Sequence, residues 1–539
     1  MAEEKRAIVT LHRGVDTQHF LEEMIFNGSG STDFIPSRSV TVFNLKPESL
    51  RNTDYLLTEE ECVLLKQDPR VIDVRIGSKR DNGIILSKHL LDPKRSYPRT
   101  TSKTSSDHNW AFPSCSSTTD PYNGSLTTLD FQHSYSLTGK GVDVVIQDSG
   151  ILPDHPEFLD RKGVSRVQLV DWPTVSGLTN ITQHQDHYRD LDGHGTHCAG
   201  TVAGLLYGWA KDSHIYCLNI LDPTSSFGVS ESFNLLRNWH INKTNGRPTV
   251  VNMSWGYQNT YYSNIVGVNY RGVEYTGAQL SNLADYGVMQ NVYNGRYNQS
   301  DELEYSVGAR VASVDADIQD CIDAGIILVG SAGNDTHYID HTGEQGIIGV
   351  DSDNYVHNGT NFFYYHKGST PSSTSNVICV GAVAHNYINN TELRAVYSCV
   401  GPRVDIYSPG NYIMSAIPTG SNIYFDVGAV DYPLNTQYKA TKISGTSMAG
   451  PQVAGVLATL LEARPTLSQT EARALLFEHT SAGRLYDLTW PSSPTSADYT
   501  NFTILQGSTN RYLVNPVTGS KPYQLTGNYQ FTHPELKLS

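Results

Sequence analysis

Apolar residues run almost unbroken through several short segments in the middle of the chain. These are VDVVIQD (142–148), SHIYCLNIL (213–221), PTVVNMSW (248–255), AGIILVGSAG (324–333) and SNVICVGAVA (375–384). Continuous apolar runs of this length are typical of parallel strands that are buried on both faces. They alternate with small-residue helical segments at 193–206 and 447–464. The pattern predicts an α/β domain over residues 119–485, with a mostly parallel central sheet between two layers of helices.

A second pattern, in which short strands alternate with amphipathic helices, covers residues 5–78. The predicted strands are RAIVTLH (6–12), SVTVFNL (39–45) and VIDVRIG (71–77), and the predicted helices are DTQHFLEEMIF (16–26) and LTEEECVLLKQ (57–67). Thr58 with Glu61 three residues later makes a capping box at the start of the second helix. The order β-α-β-α-β predicts a small α/β domain over 1–78, with its helices on one face of one sheet.

Three stretches lack this regularity. Residues 79–118 are rich in Lys, Arg, Ser, Thr and Pro, which predicts an exposed linker open to cleavage, or else a loop wrapped on the surface. Residues 257–310 contain nine tyrosines and little periodicity, so we interpret them as an insertion that provides surface or partner contacts rather than core. Residues 486–539 predict a small β or irregular appendage.

Composition and charge exclude several classes of function. The 539-residue chain has a formal net charge of −15 and therefore repels polyanions, which argues against nucleic-acid binding. No segment approaches the roughly 18 consecutive apolar residues of a membrane helix. The N-terminal segment 1–14 lacks the apolar centre of a secretory signal, so we expect none, and localisation stays open. The seven cysteines have no CxxC spacing, which predicts reduced, buried thiols.

Three polar segments stand at the ends of predicted elements. VVIQDSGI places Asp148 at the carboxyl end of a buried strand, DGHGTHCAG places His194 at a helix start, and SGTSMAGPQVAG places Ser447 at another helix start. Carboxyl ends of parallel strands and N-termini of helices converge on one edge of an α/β sheet. We therefore predict that the three side chains meet in one site, although each segment alone could be a turn, a helix start or a capped helix.

These residue types at one site have the chemistry of a nucleophilic serine. A neutral imidazole can take the proton of a serine hydroxyl, and a buried carboxylate orients that imidazole and stabilises its charged form. The helix N-terminus at Ser447 offers a backbone N–H to a developing oxyanion, and Asn334 in GSAGND is the candidate for a second donor. His194 and His197 are three residues apart with no glutamate between them, unlike the pair of a zinc helix.

The segments GHGTHCAG, SGTSMAGP and VIQDSG closely resemble the motifs of the subtilisin-like serine proteases. The resemblance covers about 5–78 and 125–482. It implies their three-layer fold, a serine endopeptidase with an Asp-His-Ser triad, and the oxyanion role for Asn334 in SAGN. Substrate-binding roles are implied for Ser254, Trp255, Gly256, Ser331, Ala332 and Gly333. Cys198 resembles the proteinase-K-like branch, and its place in an apolar helix predicts core packing rather than nucleophilic catalysis.

Residues 5–78, above all YLLTEEECVLLKQDPRVIDVRIG (55–77), resemble the propeptide of the same family. The resemblance implies a ferredoxin-like domain that assists folding and blocks the cleft as an intramolecular inhibitor until it is removed. We therefore predict a zymogen that cuts itself within 79–118. The chain departs from the family pattern at Gln147, Ser149 and Gly450, none of which is a catalytic residue.

Protein or peptide substrates are the expected partners, and no cofactor is needed for the chemistry. Family resemblance implies structural calcium without placing it; DSDNYVH (351–357) could hold calcium or be a solvated loop. The predicted substrate segments contain no acidic residue, which favours an apolar or aromatic side chain on the acyl side. The alternative function is a latent or structural protein that retains its propeptide. One version is a phage virion component, because NRYLVNP and the Tyr-rich insertion resemble phage-encoded subtilases.

Overall fold

The computed structural model describes the chain in stretches separated by gaps. These stretches are residues 3–26, 34–46, 48–77, 84–86, 109–124, 132–135, 137–160, 162–178, 181–221, 227–262, 265–288, 304–341, 349–420, 428–489, 491–492, 494–499, 501, 503–515 and 521–524. Below, the N-terminal unit means residues 3–77, and the central unit means the described residues between 109 and 515.

The N-terminal unit is a four-stranded antiparallel sheet with two helices. Its elements are β1 (Lys5–Leu11), α1 (Thr17–Ile25), β2 (Thr41–Asn44), β3 (Asn52–Leu57), α2 (Glu59–Leu65) and β4 (Val71–Ile76), with sheet order β2-β3-β1-β4. The predicted capping box of α2 is present. The predicted β-α-β-α-β order is wrong because it lacks one strand, β3, which lies between β2 and α2. Two of the buried positions of β3 are polar, Asn52 and Asp54, and they interrupt the apolar alternation that reveals a strand.

The rest of the chain forms the following elements. They are β5 (Ile84–Leu86), α3 (Ala111–Cys115), β6 (Gln132–Tyr135), β7 (Asp143–Asp148), α4 (Trp172–Ser176), α5 (His194–Ala203), β8 (His214–Asn219), α6 (Val229–Asn242), β9 (Thr249–Met253), β10 (Trp255–Tyr262), β11 (Gly267–Tyr270), β12 (Val273–Thr276), β13 (Glu304–Gly308), α7 (Ala312–Asp323), β14 (Ile327–Ser331), β15 (Tyr355–His357), β16 (Phe362–Tyr364), β17 (Ile378–Ile388), β18 (Thr391–Arg394), β19 (Ile406–Pro409), β20 (Ile413–Ile417), β21 (Val430–Tyr432), β22 (Asn435–Ile443), α8 (Thr446–Ala463), α9 (Gln469–Glu478), β23 (Ser481–Ala482), α10 (Ser496–Tyr499), β24 (Arg511–Tyr512) and β25 (Lys521–Gln524), with 3₁₀ turns at Pro156–Phe158, Gly277–Ser281 and Leu283–Tyr286.

The central sheet has the strand order β23-β24-β19-β17-β14-β9-β7-β8. Every pair from β24 to β8 is parallel. Residues of β7 alternate between the two faces: Val144 and Ile146 pack in the core that contains α5 and α8, whereas Val145 packs in the core that contains α6 and α7. The predicted three-layer α/β fold with a mostly parallel central sheet is therefore confirmed. Among the described helices, none combines the length and hydropathy that crossing a membrane requires.

The last part of the predicted linker belongs to the core of the central unit. Trp110 and Phe112 are buried, and Phe112 meets the ring of Trp209 edge-on at 4.8 Å between centroids. The indole N–H of Trp110 donates to the carbonyl of Asn411 at 2.8 Å. The prediction of an exposed linker is thus wrong for residues 109–115, because isolated aromatic anchors in a polar stretch give no periodic signal. Residues 87–108 lie outside the described residues.

Part of the predicted C-terminal appendage also belongs to the central unit. β24 pairs in parallel with β19 through Tyr512 and Tyr407, and Leu505 and Leu513 are buried in the core with α5 and α8. The prediction of an appendage beginning at 486 is therefore wrong as far as residue 515. A two-residue strand is too short for a hydrophobic pattern to reveal it.

The Tyr-rich insertion has a small core of its own in its described part. β10 pairs with β13, while β11 and β12 join β15 and β16 in a four-stranded sheet. Tyr261 stacks on Tyr305 and on Phe363, with centroid distances of 5.5 and 4.8 Å, beside the buried Val268. The prediction that this insertion provides surface rather than core is wrong for these residues. Residues 289–303 lie outside the described part.

The N-terminal unit docks on α6 and α7 of the central unit through polar groups. Arg51 Nη2 lies 3.0 Å from Asp320 Oδ1. The Asn52 side chain donates to Asp317 Oδ1 and to the Ser313 carbonyl, both at 3.1 Å. Arg51, Asn52, Asp317 and Asp320 are all nearly inaccessible to solvent. The contact therefore joins a basic and amide surface of the N-terminal unit to two carboxylates of α7.

Candidate active site

Asp148 and His194 meet at the carboxyl edge of the central sheet. Asp148 is the last residue of β7, and His194 is the first residue of α5. His194 Nδ1 and Asp148 Oδ1 are 2.8 Å apart, and both side chains are fully buried. A carboxylate oxygen can only accept, so Nδ1 carries the proton and Nε2 is the basic atom of the neutral ring. Within the described part of the chain, Nε2 is buried without a hydrogen-bond partner.

Asp190 forms hydrogen bonds to both segments that carry this pair. The sequence alone did not identify this residue as part of the site. Its Oδ1 accepts hydrogen bonds from Ser149 Oγ at 2.9 Å and from the Gly193 N–H at 2.7 Å. Its Oδ2 accepts from the N–H and the hydroxyl of Thr196 at 2.8 and 2.6 Å. Burial raises the pKa of Asp190, and these hydrogen bonds oppose that effect. The only signal in the sequence is the first acid of DLDGHGTH.

Two glycines allow the histidine helix to approach the aspartate turn. A Cβ atom on Gly195 would lie 2.1 Å from the carbonyl oxygen of Gly150, which is impossible without a shift of the backbone. Gly193, the residue before α5, has a φ of +94°, in the left-handed region that favours glycine. The GHG sequence is therefore the local reason that His194 can reach Asp148.

Ser447 lies in the first turn of α8, which packs against α5. Its hydroxyl donates to the carbonyl of Ser254 at 3.1 Å, and the Ser254 hydroxyl donates to the Ser447 carbonyl at 3.1 Å. The Ser447 carbonyl is open to this bond because Pro451, four residues later, has no N–H. Pro451 itself lies in the second turn of α8. Its missing donor allows the start of α8 to bond to the segment before β10.

The side chain of Asn334 is held with its amide nitrogen unpaired. Asn334 Oδ1 accepts from the N–H and from the hydroxyl of Thr446, both at 2.9 Å. Because the Thr446 N–H can only donate, the atom it meets is the oxygen, and Nδ2 faces the other way. In the described residues, Nδ2 is buried with no hydrogen-bond partner. A buried donor without an acceptor, directly beside the serine at 447, suits an oxyanion.

The predicted substrate strand is already paired along its backbone. β5 runs antiparallel to the start of β10, with Leu86 opposite Trp255, Ile85 opposite Gly256 and Ile84 opposite Tyr257. The indole of Trp255 is fully buried in the core with α6 and α7, so only its backbone is available to a peptide.

The second predicted substrate segment, residues 331–333, begins at the last residue of β14. Ala332 and Gly333 line a pocket with Asn334 and with Gly256 of β10, whereas Ser331 does not reach it and its hydroxyl is buried. The structure thus brings the two predicted substrate segments together around one pocket.

Cys198 lies one turn after His194 in α5. Its Sγ is 3.8 Å from His194 Nδ1 and donates to the Ser447 carbonyl at 3.5 Å. Burial raises the pKa of this thiol well above its ordinary value, which disfavours the nucleophilic thiolate. All seven cysteines are buried and unpaired, as the sequence analysis expected.

Metal binding finds little support in the described residues. The one grouping of potential ligands there is Asp148, His194 and Cys198, whose atoms already contact one another. In the segment 351–357, both carboxylate oxygens of Asp351 bond to Arg271 at 2.7 and 2.9 Å. That carboxylate is therefore not free for calcium, and structural calcium stays a prediction without a site.

A buried carboxylate–imidazole pair beside a serine at a helix start, on the carboxyl edge of a parallel sheet, defines a candidate site for a nucleophilic serine. The model of the subtilase family, Peptidase S8, matches residues 139–507. This is more than half of the sequence, and the chain belongs to the subtilase family.

Relatives in this family share about a quarter of their residues with the chain. The extracellular serine proteinase of Thermus sp. (strain Rt41A) is 27% identical over 350 residues, which cover 65% of this chain and 58% of that protein. Subtilisin NAT of Bacillus subtilis subsp. natto is 27% identical over 358 residues, covering 66% and 64%. The chain therefore spans less than two thirds of the length of either relative. The crystal structure of a cold-adapted subtilisin-like serine proteinase is 21% identical, with a TM-score of 0.45, and the match covers 77% of this chain and 100% of that one.

Proposed function

We propose that the chain is a serine endopeptidase that hydrolyses peptide bonds through an acyl-enzyme intermediate. The observation that carries the proposal is the buried His194–Asp148 hydrogen bond of 2.8 Å, which leaves a basic Nε2 unbonded on α5, the helix that packs against α8 and its second residue Ser447. Membership of the subtilase family supports the same reaction class.

Each proposed step follows from a named atom. The Ser447 hydroxyl turns from the Ser254 carbonyl toward His194 Nε2, gives up its proton to that nitrogen, and its oxygen attacks the carbonyl carbon of the substrate. Asp148 stabilises the imidazolium that forms. The new oxyanion accepts hydrogen bonds from Asn334 Nδ2 and from the backbone N–H of Ser447. The imidazolium then protonates the leaving amine, the peptide bond breaks, and water repeats the sequence on the ester.

The N-terminal unit acts as an intramolecular inhibitor in this proposal. β5 follows that unit in the chain and lies antiparallel along β10 at Trp255–Tyr257, the backbone that a substrate strand would use. A chain segment in this position excludes a substrate strand from the same backbone. We therefore expect self-cleavage after β5, between residues 87 and 108.

The test is to replace the proposed nucleophile. Ser447→Ala should keep the chain at its full 59.5 kDa by mass spectrometry and should abolish labelling by a fluorophosphonate probe. Ser468→Ala, which removes an exposed hydroxyl at the start of α9, is the matched control and should process and label normally. An alanine variant at 447 that still trims itself would show that another residue is the nucleophile.

The pairing of β5 with β10 also favours a second candidate, a latent protein that retains its N-terminal unit. In that case the wild-type chain would stay intact and would react with the probe no faster than Ser447→Ala. A trimmed and reactive wild-type chain would rule out latency.

A further inference from the structure

The pocket between the two substrate segments has an acidic residue, Asp335, in its lining. One wall is Gly256, Tyr257 and Gln258 of β10, and the other is the segment that ends in Asn334. Its volume is about 60 Å³. Asp335, the residue after the proposed oxyanion donor, also lines it. A substrate carbonyl held by Asn334 would therefore present its own residue's side chain to this pocket.

Among the residues that the structure describes, Asp335 forms no ion pair with a Lys or Arg side chain. Burial raises the pKa of Asp335, and the His337 and Gln258 side chains oppose that effect. Burial lowers the pKa of His337, and Asp335 opposes that effect, so the ring is largely neutral near pH 7. In the described part of the chain, Asp335 takes part in no ion pair within 4 Å. A carboxylate in a confined pocket without an ion-pair partner favours the binding of a cation.

The rest of the pocket suits the stem of a long cationic side chain. Ile339, Cys399 and the ring of Tyr365 line it together with glycine backbone. Lysine and arginine bury their methylene stems on apolar surface and place the charge at the far end. A lining that combines apolar residues with one acid offers both kinds of contact that such a side chain makes.

We propose that Asp335 makes this pocket select lysine or arginine at the substrate residue whose carbonyl is attacked. The inference rests on the proposed serine endopeptidase function. The proposed preference differs from the apolar or aromatic preference expected from the sequence. That expectation rested on the residues up to Asn334. The acid is one residue further on and also lines the pocket.

The first experiment compares peptide amides that differ only in the residue before the scissile bond, Lys, Arg, Phe or Leu. Rates are divided by the fraction of protein that the fluorophosphonate probe labels. We expect kcat/KM to be highest for Lys or Arg, and Asp335→Asn to lower those values at least about tenfold while changing the Phe and Leu values less than about twofold. Asp353→Asn, which removes an equal charge from an exposed position, is the control and should change none of them.

Two outcomes overturn the proposal: a wild-type preference for Phe or Leu, or an equal loss on all four substrates in Asp335→Asn. If the probe labelled neither the wild-type chain nor any variant, the endopeptidase function itself would be contradicted. That failure can be distinguished from a failure of the proposed Lys or Arg selectivity.

A second measurement needs no turnover. Benzamidine, a flat organic cation, should raise the melting temperature of the wild-type chain in a concentration-dependent way and should not raise that of Asp335→Asn. Equal shifts in both chains, or none in the wild type, would contradict a cation-selective pocket at Asp335.

Discussion

Helices α5 and α8 of the central unit are buried along almost their whole length, whereas the helices of the N-terminal unit bury only one side. All ten residues of α5 and all but the last two of α8 are inaccessible, and both helices are rich in glycine, alanine and other small residues. In α1 and α2 the buried residues are few, among them Phe20 and Leu65. The first arrangement fixes the position of side chains in a closed core. The arrangement in the N-terminal unit leaves a compact unit that contacts the central unit through surface residues.

The contacts between the two units fit this difference. Where the sheet of the central unit is held by apolar packing on both faces, the N-terminal unit docks through Arg51, Asn52 and the carboxylates of α7. Breaking a buried charged contact on one side costs far more than breaking an exposed one, because it leaves the other charge buried and unpaired. Small changes at the docking surface should therefore release the N-terminal unit while the central unit stays folded.

The largest effect is expected inside the central unit. Asn334→Ala removes the unpaired Nδ2 donor and should lower kcat by about 100- to 1,000-fold with little change in KM. The core around it is closed, so the melting temperature should fall only slightly. Steady-state kinetics on the labelled fraction and a thermal melt check both parts. If kcat stays within about twofold of the wild-type value, Nδ2 does not serve the oxyanion.

A smaller effect is expected at the docking surface. Arg51→Ala, introduced into the Ser447→Ala chain so that no cleavage intervenes, leaves Asp320 without its ion pair. We expect hydrogen exchange in β3 and α7 to become about 10 to 100 times faster, while β7, β8 and β9 stay protected. Lys5→Ala, which breaks an exposed ion pair with Glu59, is the control. Faster exchange throughout the central sheet would show that the two units unfold together.

The smallest effect is a pH dependence of the same contact. Burial raises the pKa of Asp317 from 3.8 to about 7, with Ser230, Arg51 and Lys46 opposing the shift and Asp320 adding to it. The docked state therefore binds a proton that the released state gives up, so docking is favoured at low pH and weakens as pH rises through 7. Between pH 6 and 8 this amounts to about tenfold in the docking equilibrium. Hydrogen exchange of α7 in the Ser447→Ala chain measures it, and Asp317→Asn should remove the dependence.

Much of the central fold could be predicted from the sequence because its strands are buried on both faces. Such strands are continuous apolar runs, and the carboxyl ends of parallel strands must share one edge, so Asp148 and His194 could be placed together before any coordinates. Family resemblance then pointed to Asn334. The structure adds why its amide points as it does, through Thr446.

Elements held by isolated contacts could not be predicted in the same way. β3 carries buried polar residues because they bind charged partners, as Asp54 binds Arg6 at 2.9 Å. Trp110 and Leu513 are single anchors in polar stretches, and no period marks them. Asp190 bonds to Ser149 of a distant segment, so this contact appears only when the two loops are folded together.

Because the short strand β24 comes late in the chain, the N-terminal unit can fold during synthesis before the central sheet is complete. The N-terminal unit has all its strands by residue 76 and encloses its own apolar cluster, so it can fold as soon as that stretch has left the ribosome. The central sheet lacks a neighbour for the outer edge of β19 until residues 511–512 have emerged, and its core lacks Leu505 and Leu513 until the same moment. A complete N-terminal unit would therefore accompany a central sheet whose last strand has not yet been made.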